Sequence, residues 1–378
     1  MSEIVFWLCL SLIFYTYAGY PLILVFLGFI RKRENSGRDA FDKPSVTLVV
    51  SLYNEEKILP RKLKNLQDIR YSADRLEILL GSDGSTDQTV ELIKQANVKN
   101  CHVYPFDRRR GKACVLNDLV KMAKGEIVVF SDANTMFRPE TIGLLVEPFK
   151  HRDVGAVSGE LLLEGESNTG ESLYWKYETF VKRHEDAVGT LLGATGGVYA
   201  IRKGLFRPLP DDRSLADDFI TPISIVEQGF RVAYVPGAVA TETGEMTVID
   251  EFQRKVRIGA QNFNAIPLLI SLLKPAAGFV AFALWSHKII RWIVPFLLLA
   301  LAGSTLMLAS RGGVYLGSLI GVAAILLAAG LGAAAEHFKF RNPFVALPYY
   351  FLAMNAALLI GFIRSIRGVQ KSTWNVQR

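Results

Sequence analysis

The chain has 378 residues, 50% of them hydrophobic and 21% charged, with a formal net charge of +7 and a mean hydropathy of +0.24. That is too apolar for an ordinary soluble protein and too charged for one buried wholly in a bilayer, so membrane spans joined to a water-soluble domain are expected. The basic balance does not call for nucleic acid. The cations crowd the ends of apolar runs, where anionic lipid headgroups attract them.

Residues 4–30 carry no charged side chain and are long enough to cross about 30 Å of hydrocarbon. The alternative is a cleaved signal peptide. Glu3 in place of a basic cluster, the length of the run and the lack of a small-residue cleavage site speak against it. Arg31, Lys32, Arg33, Arg38 and Lys43 follow at once, which predicts that this side, and the domain after it, is cytoplasmic. Cys9 falls in the span, and Cys101 and Cys114 are well separated, so neither a disulfide framework nor a zinc site is expected.

The middle of the chain alternates strand and helix patterns. Residues 45–53 (SVTLVVSLY), 76–80 (LEILL), 101–104 and 126–130 (EIVVF) read as strands. Helical patterns lie between them, to about Asp68, to about Asn97 and over 111–124. The fold class expected is α/β, a mostly parallel Rossmann-like sheet with right-handed crossovers. Ligands bind such sheets beyond the carboxyl ends of the strands. Asn54, Asp83 and Asp132 each follow a strand, which points to a nucleotide site there.

Four segments have residue types suited to chemistry. The loop 81–87 (GSDGSTD) offers Asp83 to a base or ribose, or is a polar turn with an N-cap. Asp132 and Asn134 stand two apart after a strand, so their oxygens can share a hard cation such as Mg²⁺ or Mn²⁺, or they only shape a turn. Asp217 and Asp218 are adjacent carboxylates, either a tuned general base or a pair opening the helix that runs to about Gly229. Arg254 and Arg257 share a helix face with Lys255 beside them, fit to clamp a diphosphate or to face lipid headgroups.

Residues 266–285 contain Lys274, Pro267 and Pro275 and read as an interfacial helix. Charge-free runs over 292–310, 312–335 and 342–363 read as three further spans. The expected organisation is a span at 1–30, a cytoplasmic domain at 31–265, an interfacial region at 266–291, three spans at 292–363 and a tail at 364–378. Those spans, starting at Trp292, hold no buried ionisable residue, which argues against a transporter or channel. With four crossings the basic tail falls outside, against the positive-inside tendency. Labelling of a cysteine at Ser372 by an impermeant reagent reports its side.

In this order and spacing the segments resemble family 2 glycosyltransferases, the membrane-bound cellulose-synthase-like and exopolysaccharide-synthase group. The resemblance runs from about Ser45 to Arg257. Residues 50–56 (VSLYNEE) look like the first nucleotide-binding strand, with Ser51, Tyr53 and Glu55 on the donor side. Asp83 resembles the uracil-contacting aspartate, and Lys112 with Leu116-Asn117 the helix following the nucleotide. Asp132-Ala133-Asn134 resembles the metal motif, and Asp217-Asp218 the pair whose second member is the base. Residues 174–178, with Trp175, and 193–199, with Gly196 and Gly197, resemble acceptor-side elements. Three positions depart from the pattern. Asn134 replaces a carboxylate, Asp217 replaces Glu, and Ile258 follows Arg257 where processive members place Trp.

The resemblance implies a GT-A fold flanked by transmembrane helices and an inverting displacement. It implies a nucleotide-sugar donor, a UDP-sugar, and a lipid-linked or polysaccharide acceptor in cell-envelope or exopolysaccharide synthesis. The protein would sit in the inner membrane beside envelope-polysaccharide assembly partners. Ile258 and about four spans favour transfer of one sugar or a short run over a processive synthase. The rival from another class, a tethered nucleotide-binding module without catalysis, has no need of the Asp217-Asp218 pair.

Overall fold

The computed structural model describes residues 1–30, 43–164, 169–243, 248–337 and 342–368. The basic run Arg31, Lys32, Arg33 and Arg38, and the tail with Ser372, lie outside the described residues. The chain divides into two compact units, one helical and one built on a sheet.

The sheet unit holds eight strands in the order β3-β2-β1-β4-β7-β6-β8-β5. These are β1 (Val46–Leu52), β2 (Leu76–Asp83), β3 (Cys101–Phe106), β4 (Ile127–Asp132), β5 (Thr135–Phe137), β6 (Val154–Glu164), β7 (Tyr199–Arg202) and β8 (Arg231–Thr243). The first four are mutually parallel and match the strands expected from sequence. β1 and its neighbours are buried on both faces, which is why they read as unbroken apolar runs rather than alternating ones. β7 runs antiparallel to β4 and β6, and β5 antiparallel to β8, so the far half of the sheet is mixed. The connecting helices Leu59–Gln67, Thr89–Gln95 and Lys112–Met122 fall where the helical patterns predict them. The register Gly81↔Ser51↔Asp132 brings three strand ends level at one edge.

Among the described residues four helices are long and apolar enough to cross a membrane: Ser2–Ile30, Phe279–Arg311, Gly313–Ala335 and Pro343–Ile366. Helices Thr169–Val188 and Val248–Leu269, placed in the soluble domain by the sequence reading, cluster with them in the helical unit. Helix Val248–Leu269 crosses Pro343–Ile366 closely. A Cβ on Gly361 would come within 2.7 Å of the Ala260 nitrogen and 2.8 Å of the Val256 oxygen.

The segment 266–285 is not one interfacial helix. The preceding helix ends at Leu269, Pro275–Ala277 form a 3₁₀ turn, and Gly278 at φ +56° leads into a new helix at Phe279. That helix runs unbroken to the second span, so His287 and Arg291 belong to an apolar helix of 33 residues. The absence of ionisable groups expected of the spans therefore does not hold at this end. Both groups are matched by carboxylates from helix Thr169–Val188. His287 Nδ1 lies 2.7 Å from Glu185 Oε1, which also accepts from the Tyr20 hydroxyl at 2.7 Å. Arg291 donates to Glu178, and its guanidinium lies 5.3 Å from the Tyr174 ring centroid and 5.7 Å from that of Tyr177. Burial alone would raise the Glu178 carboxyl, but Arg291 and then His287 outweigh it and hold it well below the usual range.

Removing one partner of a buried ion pair strands the other charge, at a cost on the order of 3–5 kcal/mol. Glu178→Ala is therefore expected to lower the melting temperature of the detergent-solubilised protein strongly. Glu178→Leu combined with Arg291→Leu should recover much of the loss. Thermal melts of the two variants check this, and equal melting temperatures would count against the pair as the cause.

Candidate functional site

Three loops meet at the carboxyl ends of β1, β2 and β4. After β1 the backbone turns at Asn54, whose φ of 51° is one that asparagine tolerates. The Asn54 amide nitrogen donates to Ser85 Oγ at 3.1 Å, and its side-chain oxygen accepts from the Thr86 nitrogen at 2.8 Å. Glu55 is buried, and its backbone nitrogen donates to Thr89 Oγ1 at 2.9 Å. The loop 81–87 is thus stitched to the end of β1.

Asp83 closes β2 and is only 2% exposed. Its two oxygens accept the backbone N–H groups of Arg110 at 2.7 Å and Gly111 at 2.8 Å. Asp83 therefore shapes the loop entering helix Lys112–Met122, a task the sequence did not reveal. That loop lays the Arg109 guanidinium over the Tyr53 ring, 3.8 Å from its centroid. Gly84, at φ +67°, must be glycine, since a Cβ would come within 2.6 Å of the Arg109 nitrogen.

Lys112 opens its helix and points between two carboxylates. Its ammonium lies 2.7 Å from Asp132 Oδ1 at the end of β4 and 2.8 Å from Asp217 Oδ1. Burial opposes the charge, but Asp132 and Asp217 outweigh it, so the ammonium keeps its proton far above the usual lysine range. Asp217 and Asp218 form the first turn of helix Asp217–Glu227, where the helix dipole favours carboxylates. The other Asp217 oxygen accepts from the Tyr199 hydroxyl at 2.9 Å. Burial, then Asp217 and Asp218, push that hydroxyl well above its ordinary pKa, so it stays a donor. Tyr199 is fixed by stacking on Phe130 with centroids 4.4 Å apart.

Gly196 and Gly197 line this cluster. A Cβ on Gly196 would come within 2.8 Å of Asp218 Oδ2. Gly197 has φ +74°, and a Cβ there would meet Thr135 Oγ1 at 2.5 Å and Asp132 Oδ2 at 3.2 Å. Both positions must be bare for the Asp132 and Asp218 carboxylates to keep their places.

Two further residues escaped the sequence reading. Lys62, 1% exposed, donates to Ser131 Oγ at 2.7 Å and to the Thr135 carbonyl at 2.6 Å, pinning the turn between β4 and β5. A signal existed: Lys62 shares the apolar face of its helix with Leu59, Leu63 and Leu66. The second is Glu242 on β8, which accepts from the Asn134 amide nitrogen.

Of the residues singled out from sequence, Ser51, Tyr53, Glu55, Asp83, Lys112, Asp132, Asn134, Gly196, Gly197, Asp217 and Asp218 stand in the sheet unit. Trp175, Arg254 and Arg257 stand on helices of the helical unit. There Arg254 Nε donates to Glu251 Oε2 at 2.7 Å, one turn back on its own helix.

Residues 47–208 match the model of the family described as glycosyl transferase family 2. The chain carries a family 2 glycosyltransferase domain. The match spans β1 to the residues just before the Asp217-Asp218 pair. A probable glycosyltransferase of Bacillus subtilis, YdaM, is 25% identical over 264 residues, covering 64% of this chain and 62% of that protein. A poly-β-1,6-N-acetyl-D-glucosamine synthase of Staphylococcus aureus is 26% identical over 220 residues, 56% of this chain and 53% of that one. The chain thus spans between half and two thirds of the length of these relatives. Among solved structures, a mannosyltransferase of Pyrobaculum calidifontis, in complex with GDP-Man and Mn²⁺, superposes with a TM-score of 0.71. It is 21% identical, over 97% of this chain and 99% of that one, and shows the fold. The glycosyltransferase domain accordingly has the GT-A architecture that the sequence resemblance implied, and the chain also carries helices long and apolar enough to cross a membrane.

Burial pushes the Lys62 ammonium down to about 7, with Asp132 opposing the shift. Unfolded lysine titrates near 10.4. Between those values the folded protein binds fewer protons than the unfolded chain, so the stability of the wild type rises with pH in that window. The cost of the buried charge is fully present below about pH 7. Compared with Lys62→Met, the wild type should gain melting temperature from about pH 7 to about pH 10. A pH-independent difference between the two would contradict this.

Proposed function

We propose that the glycosyltransferase domain moves a sugar from a nucleotide-sugar donor, a UDP-sugar, to a hydroxyl of a lipid-linked or polysaccharide acceptor, inverting the anomeric carbon. The observation that carries this reading is the Lys112 ammonium held between Asp132 and Asp217, with Asp218 next in the chain and Gly196 bare against it. A cationic group at the strand ends beside a carboxylate serves a leaving group that gains negative charge and a nucleophile that loses a proton.

In the proposed step, the acceptor oxygen forms its bond to the anomeric carbon as the bond to the diphosphate oxygen breaks. The electron pair leaves with the nucleoside diphosphate, and the hydroxyl proton passes to the Asp218 carboxylate. A carboxylate is a weak base in the ground state but suffices when the hydroxyl becomes acidic in a transition state with oxocarbenium character. Lys112 stabilises the departing charge while Asp217, tied to Lys112 and Tyr199, fixes its position. Tyr53, with Arg109 over it, and Asp83 border the base, and Ser51 and Glu55 support that edge. Arg254 and Arg257 are assigned to the diphosphate, and Trp175, Gly196 and Gly197 to the acceptor.

A divalent cation, Mg²⁺ or Mn²⁺, fits the donor set. Asp132 and Asn134 offer oxygen, the ligand type hard cations take, and Asp132 already holds a positive charge in the form of Lys112. Among the described residues no group of three His, Cys, Asp or Glu forms a ready cage, so the donor diphosphate would complete the shell. When bound, such a cation neutralises diphosphate charge.

The orientation proposed is cytoplasmic, at the inner membrane, from the basic run after the first span, with the product entering envelope or exopolysaccharide synthesis. The Staphylococcus aureus relative, a polysaccharide synthase, supports the exopolysaccharide setting and a processive alternative. Ile258, and the four candidate spans among the described residues, favour single or short transfer.

Asp218→Asn should leave UDP affinity within a few-fold and reduce turnover by roughly 10²-fold or more. UDP release from a panel of UDP-sugars, measured on the solubilised protein, decides it. Near-normal turnover would shift the role to Asp217. Sizing the product from labelled donor tests the transfer mode. Single additions are expected, and a polymer formed without added acceptor would establish the processive synthase instead.

A further inference from the structure

The turn between β4 and β5 carries an amide where a cation ligand is proposed, and an amide can present either of two ends. Its oxygen can bind a hard cation, and its nitrogen cannot. Glu242 removes the ambiguity. It sits on β8 in register with Thr135, the residue after Asn134, and its carboxylate takes a hydrogen bond from Asn134 Nδ2. A carboxylate only accepts, so the nitrogen end must face Glu242. The Asn134 oxygen, on the other side of the planar amide, then points away from Glu242.

We propose that Glu242 is a positioning residue that fixes Asn134 as an oxygen ligand of the divalent cation. This rests on the cation site proposed at Asp132 and Asn134. Partners that orient a metal ligand from behind typically carry 10–100-fold in metal affinity.

Charge supports the same pairing. An aspartate at 134 would set two acceptor-only carboxylates against each other with no donor to bridge them. Asn134 and Glu242 are thus a matched pair: a neutral ligand with an acidic partner. The turn that carries Asn134 is also held by Lys62, bonded to Ser131 Oγ and the Thr135 carbonyl. Neither the backbone of the turn nor the amide end is then left to be chosen when the cation arrives.

The test measures Mn²⁺ affinity of the full-length protein in detergent, by electron paramagnetic resonance of free Mn²⁺, with excess UDP and in parallel with GDP. Glu242→Ala is expected to weaken Mn²⁺ binding by about 10–100-fold. Asn134→Asp alone should also weaken it. Combined with Glu242→Gln, whose amide can donate to the new carboxylate, it should return to within about threefold of wild type, a coupling between contacting residues. Melting temperature identifies a variant that fails to fold, and Glu242→Met, which keeps the length of the side chain without the carboxylate, then replaces the alanine, again with weakened binding expected. Wild-type affinity in Glu242→Ala overturns the inference, as does a double variant no better than Asn134→Asp. If Asp132→Ala binds Mn²⁺ like the wild type, or the wild type binds none with either nucleotide, the cation site itself falls.

Discussion

The ammonium of Lys112 ties together the polar cluster at the strand ends. Two carboxylates from distant parts of the chain, Asp132 and Asp217, converge on it within 2.8 Å. Without a cation between them, these like charges would repel. With it, the end of β4 and the start of helix Asp217–Glu227 are held in one place. The lysine is itself placed by backbone. It is the first residue of a helix whose entry loop is tied to Asp83. The β2 loop, the helix and the β4 end therefore form one chain of constraints, and the two bare glycines, Gly196 and Gly197, complete it by leaving room.

The half of the sheet that the sequence makes legible is the parallel half. β1, β2 and β4 are buried on both faces, so each is a short apolar run closed by polar residues, and the ligand-bearing edge follows from strand direction. Asp132, Asp217 and Asp218 each had a bland explanation, a turn or a pair opening a helix, and could be named because their order and spacing together resemble a family pattern. Tyr199, Lys62 and Glu242 could not. Tyr199 lies in an ordinary strand pattern, and only the fold brings its hydroxyl to Asp217. Glu242 is 108 residues from Asn134, and β8 pairs with β5 across a crossover that no local pattern encodes. Asp83 was named, but its commitment to two backbone N–H groups depends on a loop conformation invisible in sequence.

The helical unit shows where a hydropathy reading misplaces a boundary. Charge-free runs put the start of the second span at Trp292, after Arg291. The helix begins at Phe279 because basic side chains inside an apolar helix are tolerated once they are paired. Glu178 and Glu185, two turns apart in a helix of their own, supply those pairs. Two π turns, Tyr15–Gly19 and Leu284–Ile289, accompany the arrangement, and Tyr15 OH and Ser286 Oγ meet at 2.6 Å between them.

The grip of Asp83 on its loop is indifferent to side-chain identity. It holds the nitrogen atoms of Arg110 and Gly111, which every residue but proline supplies. The backbone of the loop thus rests on main-chain N–H groups, while its side chains add ties of their own, Arg109 over Tyr53 and Arg110 to Asp118 and over Phe106. Exchanges there can alter the surface offered above Tyr53 while the path of the chain stays put. Asp83 itself, and Gly84 packed under the loop, have no such latitude.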